Sequence, residues 1–254
     1  MNSRQAGTGG RPVICTPVVG STSDAVFSEL AYVIEKKPDM IEWRADYFDN
    51  ISDADNVLDV ANAFKQKAGA IPVIFTVRSF REGGRPVPLS ESEITSLNAA
   101  ICKDTDIEYV DFELSNAREN IDFLLTTAHG NDKKVIASYH EHSYTPDREV
   151  LLRKFLDAET QGFDVAKVAV MPKQMEDVLT LLSVALEARK RIRIPLIPIS
   201  LGSYGAVTRL IGGVFGASAS FAVGHTASAP GQIPIDDLRT VLDIIEKTMT
   251  TCEP

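Results

Sequence analysis

Short β-branched runs alternate with longer helical stretches along the whole chain. The runs fall at 13–18 (VICTPV), 40–46 (MIEWRAD), 72–78 (PVIFTVR), 109–114 (YVDFEL), 134–140 (KVIASYH), 165–171 (VAKVAVM), 195–201 (PLIPISL) and 220–225 (SFAVGH). Each is rich in Val, Ile, Phe or Tyr and bounded by turn or charged residues, which predicts a strand. Helical patterns lie between them, near 23–37, 52–67, 90–103, 117–129, 146–161, 174–190, 205–216 and 235–249. Two start signals stand out: Ser90 before Glu91 and Glu93, and Thr145 as a cap followed by Pro146. Strands separated by helices must be parallel, because a parallel crossover needs a long connection. Over 254 residues, eight units average about 32 residues each, a normal βαβ spacing.

Eight such units predict one α/β domain, a (β/α)8 TIM barrel over residues 12–254. A doubly wound open sheet is the alternative, and no GxGxxG after the first run supports it. Residues 1–11 (MNSRQAGTGGR) lack an apolar signal-peptide core and read as a flexible N-terminal tail. The three cysteines, Cys15, Cys102 and Cys252, are far apart and suggest neither a disulfide framework nor a metal site. A reducing, cytoplasmic setting is expected. No run approaches the length of a membrane span. The net charge of −9 argues against nucleic acid as a partner but leaves room for an anionic small molecule bound by local arginines.

In a barrel, function collects at the carboxyl ends of the strands. In the second run Glu42, Arg44 and Asp46 share one face, either lining the barrel mouth or forming an ion-pair network there. The third ends at Thr76 and Arg78, followed by a charged loop whose Gly83-Gly84 pair suggests a lid; its Arg81 and Arg85 read as solvated. Asp111 and Glu113 point inward in the fourth, which demands cationic partners. The fifth ends at His140, placed as a general acid/base or as a structural histidine. His142 falls in the following loop, and His129 reads as solvated at a helix end.

In the sixth run a single lysine, Lys167, stands among apolar residues. Isolated there, its ammonium would be disfavoured and its pKa would fall, leaving an amine fit for a Schiff base with a carbonyl. Snorkelling to the surface is the other possibility. Beyond the seventh run, Gly202-Ser203-Tyr204-Gly205 could offer backbone N–H groups to a phosphate, and Arg209 could equally clamp a carboxylate. The loop 227–232 (ASAPGQ) offers a hydroxyl and an amide. No cluster has trustworthy metal-ligand spacing.

Taken together, EWRAD at 42–46, the TVRS…EGG segment at 76–84, SYH at 138–140, KVAVM at 167–171 and the stretch from Gly202 through SAPGQ at 228–232 resemble type I 3-dehydroquinate dehydratases. The resemblance spans almost the whole chain in order and spacing. It implies a lyase of the shikimate pathway, acting at its third step. The enzyme would convert 3-dehydroquinate to 3-dehydroshikimate by syn elimination of water, without a cofactor or metal. Lys167 matches the lysine that forms an imine with the C3 ketone. His140 matches the general acid/base that removes a C2 proton and protonates the departing C1 hydroxyl, and Glu82 the acid that orients it. Glu42, Arg44 and Arg78 match substrate-binding residues, and Arg209 the partner of the substrate carboxylate. Phe221 matches an aromatic wall, and Ser228 and Gln232 a closing loop. A homodimer is expected on the same basis. Two departures stand out. The family's first-strand serine is replaced within Cys15-Thr16-Pro17, and Ile199 and Leu201 stand where many members carry methionines. A sugar-phosphate aldolase using the same lysine, and a catalytically inactive barrel, are the competing readings.

Overall fold

Residues 10–251 are described in a computed structural model of the chain. The strands are β1 (Val13–Val18), β2 (Met40–Arg44), β3 (Val73–Thr76), β4 (Tyr109–Glu113), β5 (Lys134–Glu141), β6 (Val165–Val170), β7 (Leu196–Ser200) and β8 (Ala219–Val223). They alternate with α1 (Ser23–Glu35), α2 (Ala54–Ala68), α3 (Glu91–Asp104), α4 (Arg118–His129), α5 (Arg148–Thr160), α6 (Met175–Arg191), α7 (Gly202–Ile211) and α8 (Ile235–Thr251). From β1 to β7 each strand pairs in parallel with the next, and β1 also pairs with β8. A Leu196–Ala217 bridge and a Ser218 N–H to Leu196 carbonyl bond of 2.8 Å join β7 to the segment leading into β8 and complete the ring. The chain is a (β/α)8 barrel. A short extra strand, β9 (Ile233–Pro234), pairs with Ala222 and Val223 of β8; the sequence reading did not foresee it.

Strand periodicity divides the core in two. Outward residues such as Ile41, Trp43, Phe75, Phe112, Val135 and Val168 pack under the helices. Trp43 is the hub there, stacked on Phe64 and edge-on to Phe48 and Phe75. Burying one such side chain stabilises the fold by roughly 1.5–3 kcal/mol. Inside the barrel, Cys15, Met40, Ile74, Tyr109, Ile136, Val165, Ile197 and Ala219 form an apolar floor, one residue from each strand. Two residues further along, the interior turns polar: Glu42, Thr76, Asp111, Ser138 and Lys167 are all buried. Sequence period therefore becomes depth, with hydrocarbon at the amino end and charge at the carboxyl end.

Several boundaries moved. β2 stops at Arg44 and passes into a 3-10 turn, Ala45–Tyr47, whereas β3 stops at Thr76, which places Arg78 in the following loop. The Ser90 signal holds as a full capping box with Glu93. The Thr145 cap does not. Helix α5 begins at Arg148 without a side-chain cap, and the Thr145 hydroxyl instead donates to the Met171 carbonyl at 3.1 Å, tying two loops together. Helix α7 begins at Gly202, three residues before the expected start, and Gly212–Phe215 forms a separate 3-10 turn. Of the tail expected over 1–11, residues 1–9 lie outside the described residues, as does Cys252. Arg11 is held by Asp39 and Asp243.

Candidate active site

At the carboxyl end of the barrel lies a cleft with about 490 Å³ of empty space, part of it open to solvent. Its lining includes Glu42, Arg44, Arg78, Glu82, His140, Lys167, Arg209, Phe221, Ser228 and Gln232. All ten residues that the family resemblance singled out thus face one space, although they span the chain from β2 to the loop before α8.

Lys167 sits on the inner face of β6, with Nζ 3.2 Å from both Glu42 Oε1 and Asp111 Oδ2. Its Nζ also lies 4.4 Å from the centroid of the Phe221 ring. It is buried and does not snorkel. The isolated ammonium suggested by the sequence pattern is not what the fold builds: the apolar neighbours on β6 are real, but β2 and β4 bring carboxylates across the barrel. Asp111 also accepts from Arg78 at 2.6 Å and Ser138 at 2.6 Å. Burial opposes its ionisation, yet Arg78 and Lys167 outweigh that and keep the carboxyl below its usual range. Arg78 spans Asp111, Glu113 and Ser138. Its burial works against charge, but those acids hold it firmly protonated. Arg44 is paired with Asp46 through two bonds of 2.7 and 2.8 Å. Asp46 also accepts from the main chain at Arg78 and Arg85, so it fastens the loop after β3 and stays off the cavity wall.

His140 closes one side. Its Nδ1 and its backbone N–H both meet Glu82 Oε2 at 2.9 Å, while Ser115 donates to Oε1 at 3.0 Å. A carboxylate accepts, so Nδ1 carries the hydrogen and Nε2 is left as the basic atom. Burial, then Arg78 and Lys167, lower the His140 pKa well below its ordinary value. Burial lifts Glu82 to about 7, with Arg78 pulling it back.

Arg209 is the exception among the cations. Buried on α7, it donates to the carbonyls of Ser200 and Pro230 at 3.0 and 3.2 Å, and its Nε has no partner. No carboxylate among the described residues pairs with it, and burial lowers its pKa to about 10. The loop that carries Ser228 and Gln232 is braced by their mutual bonds of 2.8 and 3.1 Å. It docks on the start of α7, where Gly202 N–H donates to Pro230 O at 3.2 Å. The N–H groups considered for a phosphate are therefore partly engaged by this loop.

Several wall residues were not nominated: Gly83, His142, Ala169, Ile199, Leu201 and Ala229. Extending the period-two pattern of β5 from His140 would have placed His142 on the same face. Ile199 and Leu201 form part of the wall. On β1, Cys15 faces the barrel interior and Thr16 lies on the opposite face of the strand, but neither lines the cavity. Burial and Glu42 push the Cys15 thiol up. His129 pairs with Asp164 at a largely exposed position. Arg81 and Arg85 are exposed as expected, and Arg85 lies over the Tyr47 ring. Among the described residues, no group of three or more His, Cys, Asp or Glu could hold a metal ion, and no helix is long and apolar enough to cross a membrane.

The sequence model of the family described as Type I 3-dehydroquinase matches residues 14–249. The chain belongs to the type I 3-dehydroquinase family. It is accordingly a hydro-lyase of the 3-dehydroquinate dehydratase type. A 3-dehydroquinate dehydratase from Aromatoleum aromaticum is 46% identical, the alignment covering 95% of this chain and 93% of the relative. The crystal structure of the Geobacillus kaustophilus 3-dehydroquinate dehydratase is 48% identical and superposes with a TM-score of 0.91, covering 93% of this chain and 91% of that one. A type I enzyme from Clostridium difficile, solved with covalent modified comenic acid, is 34% identical with a TM-score of 0.90 and covers 94% of each chain.

Proposed function

We propose that this cavity dehydrates 3-dehydroquinate through an imine on Lys167, the third step of the shikimate pathway. The observation that carries the reading is the placement of Lys167 and Arg209. A buried amine stands between two carboxylates at the cavity floor, beside a buried guanidinium that has no acidic partner among the described residues. The first supplies a nucleophile and the second a site for a carboxylate.

In this reading the substrate carboxylate pairs with Arg209, and its C3 ketone reaches Nζ. The ammonium first gives up a proton; Glu42 and Asp111 are close enough to accept it. The amine adds to C3, water leaves, and a protonated imine forms. That cation withdraws electrons from C2, and His140 Nε2 removes the C2 proton. The resulting enamine expels the C1 hydroxyl, which takes a proton from His140 and leaves as water. Hydrolysis of the imine returns Lys167 and releases 3-dehydroshikimate, for a net loss of one water. Glu82 steadies the imidazolium formed between the two proton transfers. The covalent modified comenic acid of the Clostridium difficile enzyme accords with a site that bonds its ligand. A homodimer within the cytoplasm completes the expectation.

The aldolase reading draws nothing specific from the geometry, because the closing loop sits where a phosphate would meet α7. The test follows the ultraviolet absorbance of the conjugated enone product. Turnover of 3-dehydroquinate supports the assignment. Turnover of a phosphorylated sugar alone, or of neither compound, overturns it.

A further inference from the structure

Beside His140 stands a second imidazole that the mechanism above does not use. His142 lies just past the end of β5 and lines the same cavity. Its Nε2 is 2.9 Å from the main-chain carbonyl of Glu82. A carbonyl only accepts, so Nε2 carries the hydrogen and donates. The ring lies nearly parallel to that of His140, at 10°, with centroids 6.1 Å apart. It also rests directly on the next residue. Gly83 adopts φ +82°, and a Cβ there would stand 2.2 Å from His142 Nε2. Only glycine satisfies both the left-handed backbone and that contact.

The turn carrying Glu82 is fastened at its ends, Ser79 N–H to Glu113 at 2.8 Å and Arg85 N–H to Asp46 at 3.1 Å, with Arg78 3.8 Å from the Glu82 carboxylate, and it also makes bonds of its own. Glu82 N–H donates to Ser79 O and Oγ, and the Gly84 N–H to Ser79 O. Two attachments tie it to β5. One is the Glu82 carboxylate on His140; the other is His142 on the Glu82 carbonyl. Ser115 also reaches that carboxylate, but it is exposed, so water can take its place.

We propose that His142 is a positioning residue for the dehydration: through its Nε2–H on the Glu82 carbonyl and its stack on His140, it fixes the Glu82–His140 pair. The inference rests on His140 acting as the acid/base. His140 is faced by Arg44 from β2, Arg78 from the loop after β3, Lys167 from β6, Glu82 from the turn, and His142 itself. Glu82 is faced in addition by Asp111 and Glu113 from β4. Of these groups Arg78, Lys167, His142 and Arg44 work against a positive charge on His140, after burial itself.

The test compares His142→Phe with His142→Gln, whose amide can still donate to the Glu82 carbonyl. Expected for Phe is a fall of about tenfold in kcat, the loss of one hydrogen bond's positioning, with KM changed less than about twofold. Expected for Gln is recovery of most of that loss. An unchanged kcat in the Phe variant overturns the proposal, as does a Gln variant as slow as the Phe variant. His140→Ala, measured alongside, separates the two levels. If it turns over normally, the acid/base reading itself fails. If it collapses while the His142 variants behave as wild type, this inference alone fails.

Discussion

One oxygen of Glu82, Oε2, accepts from both the backbone N–H and the ring Nδ1 of His140, each at 2.9 Å. A single carboxylate oxygen therefore fixes the ring's tautomer and its place on β5. The pH dependence follows. Glu82 protonates near 7, raised by burial, while His140 resists protonation until well below its ordinary value. As pH falls through about 7, the pair first loses the negative charge that steadies the imidazolium, so kcat falls on that side. Such a limb belongs to the coupled pair. Glu82→Gln removes the group titrating near 7. Its expected result is a kcat about 10²-fold lower and an acid limb displaced to lower pH. A pH–rate profile checks both, and an unmoved limb contradicts the account.

Arg209→Met separates binding from stability. The guanidinium has no acidic partner among the described residues and an unpartnered buried Nε. Removing such a buried cation costs the fold little, since methionine fills much of its volume. The thermal midpoint is expected within about 3 °C of wild type. KM should rise about 100-fold, as expected for losing a buried partner of an anionic group. A large drop in midpoint with unchanged KM would assign Arg209 to structure.

The loop that carries Ser228 and Gln232 is addressed by Gly231→Ala. Gly231 has φ +78°, and a Cβ would stand 2.2 Å from the Gly202 carbonyl oxygen. The loop cannot then dock on α7 in its present form. The barrel stays folded, because the contact lies at its rim. KM rises, and the loop becomes more susceptible to limited proteolysis. Wild-type KM and cleavage rate together would show that docking is irrelevant to binding.

Much of this architecture is written in period two. The outward set Ile41, Trp43, Phe75 and Phe112 and the inward set Glu42, Arg44, Asp111 and Lys167 are distinguishable by alternation alone, and they place the charged layer at one end of the barrel. Resemblance to known dehydratases then selects the individual side chains that meet in the cavity. Pairing was not legible. Nothing local reveals that Lys167 on β6 meets Glu42 on β2, 125 residues away, because barrel closure creates that contact. His142 was missed because strand ends are blurred by turn residues such as Ser143, and β9 because two residues carry no periodicity. The Thr145 start signal failed through tertiary competition: the Met171 carbonyl offered its hydroxyl another partner.

Lys167→Ala is expected to abolish turnover and to cost about 3 kcal/mol of stability, since it leaves Glu42 and Asp111 buried without their shared cation. The protein still folds, because Asp111 keeps Arg78 and Ser138 and Glu42 keeps Thr76. Denaturant unfolding and circular dichroism check this. A wild-type midpoint would mean that the two carboxylates are relieved in some other way.

The imine itself is tested most directly by borohydride reduction in the presence of 3-dehydroquinate, followed by peptide mass spectrometry. The account predicts irreversible loss of activity and a substrate-derived adduct on Lys167, absent without substrate and absent from Lys167→Ala. Active protein that turns over substrate yet yields no adduct, or an adduct on another lysine, would contradict it.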